Sequence, residues 1–96
     1  MKITISEDAA KWYKEELDLN DGDSLRFFIR YGGCGNVQNG FSLGVEKETP
    51  NEIGSQAKKL GITFYIEKDD LWYFENQDVS IELDQDIKEP VFHFSN

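Results

Sequence analysis

Cysteine, histidine and methionine each occur once in these 96 residues, and proline only twice. A single cysteine excludes an internal disulfide, which is the pattern of a reducing cytosol. No apolar run approaches the ~20 residues that a membrane-spanning helix needs. The opening stretch MKITISEDAA has no uninterrupted apolar core of the kind a secretory signal requires. Both absences lead to a cytoplasmic expectation. Basic residues are also scarce, 10 against 19 acidic ones, for a formal charge of −9. Such a surface repels phosphate backbones and excludes nucleic acid as a partner on electrostatic grounds. The acidic residues are spread along the chain instead of gathered in one tail, as expected of a solvated surface.

What is present suffices for a folded globule. Apolar residues make up 39% and aromatic residues 14% of the chain, and this length supports one core, so residues 1–96 are expected to form a single domain. KITIS alternates and reads as a short strand. Ser6 is positioned to cap a helix whose first turn holds Glu7 and Asp8, where the helix dipole favours negative charge. Ala9, Trp12, Tyr13 and Leu17 form its apolar stripe, and the turn chemistry of NDGD ends it near Leu17 to Leu19. SLRFFIRY alternates with Leu25, Phe27, Ile29 and Tyr31 on one face, and FSLGVEKE alternates through Phe41, Leu43 and Val45. The spacing of Ile53, Ala57 and Leu60 predicts a short helix in TPNEIGSQAKKLG. ITFYIE reads as a strand, and KDDLWYFENQD as an Asp-capped helical turn that carries Leu71, Trp72 and Phe74 into the core. VSIELD and, after Pro90, VFHFS supply two more strands. The expected fold class is mainly β (α+β), with one N-terminal helix.

Between the second and third strands lies RYGGCGNVQNG, which holds the only thiol, Cys34, flanked by Gly32, Gly33 and Gly35 and followed by Asn36. Connections longer than ordinary hairpin turns are enriched in function. Glycines free the backbone to present amides to an anion, and a thiolate is both nucleophile and metal ligand. The stretch lacks the Lys-Ser/Thr ending of a P-loop, and no long helix follows it as a dinucleotide fingerprint requires. His93 alternates with Phe92 and Phe94 and faces away from both rings. It pairs in principle with Cys34 as nucleophile and base, yet no spacing brings the two together and no third group orients them. Asp84 and Asp86, two apart, are candidates to share a strand face. No catalytic set emerges, and the chain is expected not to be an enzyme.

The order of these features resembles the HesB/IscA-like family of A-type iron–sulfur carriers. Ile3, Thr4, Ala9 and Ala10 match the family's opening. Gly32, Gly33 and Cys34 match its cysteine loop, with Gly35 and Asn36 in place of Ser-Gly. Leu71, Tyr73 and Phe74 match the middle motif, and Phe92, Phe94 and Asn96 the closing one. The resemblance implies a compact HesB-like domain in which mixed β-sheets form a flattened barrel or sandwich. It also implies iron or an iron–sulfur cluster as cargo, with Cys34 as ligand and the glycines and Asn36 around it, and iron–sulfur assembly proteins or a second copy of the chain as partners. Carriers of this family follow the closing strand with Cys-Gly-Cys, which this sequence lacks. Clusters are usually held by four ligands, mostly cysteine. The expectation is therefore at most a labile or shared iron contact through Cys34, with His93 an improbable ligand. The alternatives are a metal-free binding or regulatory module on the same scaffold, or a thiol or redox protein that uses Cys34.

Overall fold

The computed structural model describes residues 1–30 and 42–95. In chain order these form β1 (Ile3–Ile5), α1 (Glu7–Glu16), β2 (Ser24–Arg30), β3 (Ser42–Lys47), β4 (Ile53–Lys59) and β5 (Ile62–Glu67). A 3₁₀ helix (Lys68–Phe74) follows, then β6 (Asp78–Asp84) and β7 (Glu89–Ser95). β1-β6-β7 form one sheet and β3-β2-β5-β4 the other. Both are mixed: β1 runs parallel to β6 and β2 parallel to β5, while the other pairs are antiparallel. The mainly β fold with its N-terminal helix is as expected, but the sheets do not close into a barrel. At one seam, β1 and β4 approach through a bond from the Ile3 amide to the Ser55 hydroxyl, 3.2 Å, in place of a ladder.

The helix ends are set by local chemistry. The Ser6 hydroxyl accepts from the Ala9 amide at 3.1 Å, which satisfies one of the orphan donors of the first turn. At the other end Asp18 takes a left-handed φ of 54°. The Leu19 amide then reaches back to the Lys14 carbonyl (2.9 Å) and the Asp18 amide to the Glu15 carbonyl (3.4 Å). This is a Schellman closure with aspartate where glycine is usual, and Leu19 is buried beyond it. The helix therefore stops before NDGD is reached.

β5 is buried on both faces, which is why ITFYIE reads as a nearly continuous apolar run. Ile62, Phe64 and Ile66 enter the main core with Phe27, Leu25, Tyr13, Val79 and Ile81. Ring contacts join the layers: Tyr13 meets Phe27 edge-on at 5.4 Å, and Phe27 meets Phe92 of the other sheet at 6.4 Å. The opposite face of β5 carries Tyr65 and Glu67.

Four expectations are corrected. The segment expected as a helix through Ile53, Ala57 and Leu60 is β4, paired antiparallel with β5. Its small and polar side chains blur a period of two, in which Ser55 and Ala57 are half-buried while Gln56 and Lys58 are exposed. Leu60 sits at the hairpin tip with φ 54°, followed by Gly61 at 80°, so both turn residues are left-handed.

Trp72 does not enter the core and is 68% exposed. With three residues per turn, Leu71 and Phe74 stack on one side of the 3₁₀ helix and Trp72 is rotated away. Nor is that helix capped by an aspartate: its cap residue is Glu67, which makes no side-chain capping bond. Finally, Pro90 lies inside β7, opposite Leu83, instead of before the strand.

Gly54 sits where the β4–β5 register shifts. A Cβ there would lie 2.8 Å from Leu71 Cγ and 2.9 Å from the Lys68 backbone, so the 3₁₀ helix packs directly onto β4 only over glycine. Gly54→Ala is expected to destabilise the fold by about 1–3 kcal/mol, read as a lower urea midpoint. An unchanged midpoint would show that the contact relaxes freely.

Candidate functional site

Cys34 and its neighbours Gly32, Gly33, Gly35 and Asn36 lie outside the described residues. What the structure does give is the frame of their loop. Arg30 and Ser42 are paired in the antiparallel β2–β3 ladder, so residues 31–41 leave and return at adjacent strand ends.

His93 lies on β7 opposite Ser80, with its Nε2 3.7 Å from the Glu82 carboxylate, and both side chains are largely exposed. Among the described residues no three His, Cys, Asp or Glu side chains gather closely enough to hold a metal ion. The described donors therefore do not fit a cluster.

Asp84 and Asp86 do not converge on a strand face either. β6 ends at Asp84, whose Oδ1 accepts from the amides of Asp86 (2.8 Å) and Ile87 (3.1 Å). This carboxylate builds the turn into β7.

A polar cluster that the sequence reading missed covers the outer face of the four-stranded sheet. Arg26 extends from β2 between Asp70 of the 3₁₀ helix (Nη2–Oδ2, 2.6 Å) and Glu48 (Nη1–Oε1, 3.5 Å). It also lies 5.3 Å from the Phe28 ring centre. The bond to Asp70, with the nearby charges of Asp70 and Glu48, holds the guanidinium more firmly protonated than usual. Tyr65, beside Arg26 on β5, donates to the Glu48 carbonyl at 3.0 Å. Glu67 accepts from the amides of Asn51 (2.7 Å) and Glu52 (3.0 Å) and is itself buried. Three side chains thus fasten the segment between β3 and β4 and the 3₁₀ helix to one sheet face. Their sequence signal was the polar residues Arg26, Tyr65 and Glu67 within otherwise apolar strands.

Two concave surfaces are formed by described residues. One, of ≈ 680 Å³, is bounded by Met1, Leu71, Trp72 and Asn76, with Lys68 and Asp69 at its edge. Trp72 is stacked on Tyr73 there at 3.9 Å. The other, of ≈ 360 Å³, lies between β3 and β7 beneath α1. Trp12, Tyr13 and Leu17 line it from the helix, and Leu43 and Val45 from β3. Pro90, Phe92 and a single charged residue, Glu89, complete it from β7.

The arrangement of two mixed sheets, ordered β1-β6-β7 and β3-β2-β5-β4, with α1 entering after β1, defines an IscA-like fold. A family model described as iron–sulphur cluster biosynthesis matches residues 1–96, and the chain belongs to that family. It is similar to the IscA crystal structure with the [2Fe–2S] cluster, at 18% identity and a TM-score of 0.52, covering 98% of this chain and 81% of that one. A solution structure of an Aquifex aeolicus protein gives 16% identity and a TM-score of 0.56 over 98% and 90% of the two chains.

Nearer in sequence is the pyruvate dehydrogenase inhibitor of Bacillus subtilis, 60% identical over 94 residues, 98% of this chain and 99% of that protein. An uncharacterised protein of Staphylococcus saprophyticus is 41% identical over 92 residues, 93% and 94% of the respective chains.

Two predictions follow from the Arg26 face. Burial, and then the charges of Glu48 and Glu67, push the Tyr65 phenol up to about 12. Its neutral form is thus favoured in the folded state. The stability it contributes is intact below the unfolded phenol value near ~10 and is lost as pH rises towards the folded value. Denaturation midpoints should fall across that window, and Tyr65→Phe should flatten the fall; an identical slope would remove Tyr65 as its source. Asp70→Asn, which weakens the bond to Arg26, should cost about 1–3 kcal/mol in chemical denaturation. An unchanged stability would reduce this pair to an incidental surface contact.

Proposed function

We propose that this chain is a non-enzymatic regulatory protein that binds pyruvate dehydrogenase and lowers its activity, on a scaffold shared with iron–sulfur carriers. The observation that carries this reading is the 60% identity, across 98% of the chain, to the pyruvate dehydrogenase inhibitor of Bacillus subtilis. That identity runs over nearly the whole length of both proteins, whereas the 18% identity to IscA speaks for the fold alone. The donor chemistry favours the same reading. One cysteine supplies one thiolate, and the described His93 is engaged with Glu82 and not with a ligand set. A cytoplasmic place of action is supported by the single cysteine.

The second reading retains a labile iron or iron–sulfur contact through Cys34. It is favoured by family membership over residues 1–96 and by the loop's attachment to adjacent strand ends. In this reading a second copy or an assembly protein would complete the ligand set.

The test is a titration of purified pyruvate dehydrogenase with this chain, following NADH formation. A saturable decline in rate is expected, and Cys34→Ser should inhibit as well as the wild type. A rate unaffected by a large excess of the chain would overturn the regulatory reading. Anaerobic incubation with iron and sulfide decides the second reading: a visible charge-transfer chromophore absent from Cys34→Ser would support it, and a colourless wild type would end it.

A further inference from the structure

The four-stranded sheet ends at β3 and the three-stranded sheet at β7, with the smaller apolar groove between them. A backbone bond from the Glu48 amide to the Ser24 carbonyl fixes the phase of the β2–β3 ladder. In an antiparallel pair, residues that bond to the partner strand alternate with residues whose amides and carbonyls point away from it. Counting back from Glu48, the amides and carbonyls of Leu43, Val45 and Lys47 point away from β2, to a side on which no described strand pairs. Among the described residues no backbone bond joins β3 to β7. β3 therefore combines outward-facing backbone groups with two side chains, Leu43 and Val45, that line an apolar floor. β7 is the poorer template, because Pro90 removes an amide from it.

Charge narrows the occupant. Among the described residues the only charged one lining the groove is Glu89, and the whole chain carries −9. A second copy would bring two strongly acidic bodies together, whereas a basic segment is drawn in by the field of the whole molecule. The volume of ≈ 360 Å³ is at the small end of the roughly 300–1,000 Å³ of ligand clefts, which suits side chains from one strand better than a folded surface.

Resting on the reading that this chain acts by binding a partner protein, we infer that β3 accepts an extended segment of that partner as an added strand. Alternate apolar side chains of the segment fill the groove between β3 and β7, and a lysine or arginine faces Glu89. Backbone bonds to Leu43, Val45 and Lys47 supply affinity, and the groove with Glu89 supplies selectivity.

The probe is a fluorescein-labelled peptide of alternating valine and lysine, with a valine–glutamate peptide as counterpart, followed by fluorescence anisotropy. The wild type should bind the first and not the second. Glu89→Lys should weaken binding by on the order of tenfold or more, while Glu75→Lys, at an exposed acid beyond the 3₁₀ helix, should leave it nearly unchanged. Val45→Pro removes an outward amide while sparing the β2 ladder, and should abolish binding; circular dichroism checks that the variant is folded. Equal binding by wild type and Glu89→Lys, or equal loss with Glu75→Lys, overturns the inference whether or not Val45→Pro folds.

The same variants in the pyruvate dehydrogenase titration separate the two readings. Undiminished inhibition by Glu89→Lys would remove the groove and leave the regulatory function standing. Absence of wild-type inhibition together with Glu89-dependent peptide binding would do the reverse.

Discussion

Burial of β5 on both faces is the constraint around which this molecule is organised. On one side Ile62, Phe64 and Ile66 complete the core with β2, α1 and the second sheet. On the other, Tyr65 and Glu67 lie under polypeptide that must be held in place. A strand enclosed in this way needs both covers, and the second cover here is polar. The phenol takes a backbone carbonyl, the Glu67 carboxylate takes two amides, and the neighbouring Arg26 takes two carboxylates. The buried charge is accommodated because hydrogen bonds meet it on arrival.

From that arrangement the open side of the fold follows. The 3₁₀ helix and the segment after β3 are drawn to the outer face of β2 and β5, and the hairpin tip at Leu60 and Gly61 is tied to the helix end through Lys14 and the Gly22 amide. These attachments draw chain towards β4 and β5. β3 and β7, one terminus of each sheet, are left flanking a groove that Trp12, Tyr13 and Leu17 of α1 line.

Legibility in the sequence tracked the strength of local signals. Ser6 followed by Glu7 and Asp8 marked the helix start because capping is a short-range hydrogen bond. SLRFFIR and ITFYIE were readable because β-branched and aromatic residues dominate them. β4 was not, since its glycine, serine and lysines carry little apolar periodicity and its conformation is imposed by pairing with β5. Trp72 was misplaced for a different reason. Apolar composition says that a segment packs, but whether its helix has 3.0 or 3.6 residues per turn decides which rings turn inward. Of the candidate site, the sequence pointed to Cys34 and its glycines as a unit, whereas the Arg26–Asp70 pair joins residues 44 positions apart that no local pattern connects.

By itself the sequence determined the chain's strong acidity, the N-terminal helix with its cap and most strands, because composition and short-range periodicity are local properties, and the order of its motifs pointed to the family. Only the tertiary structure decided which strands are interior and which are termini, that Asp84 builds a turn and Glu82 meets His93, and that α1, β3 and β7 leave a groove between them. These are relations between residues far apart in the chain, and they exist only once the two faces of β5 have been covered.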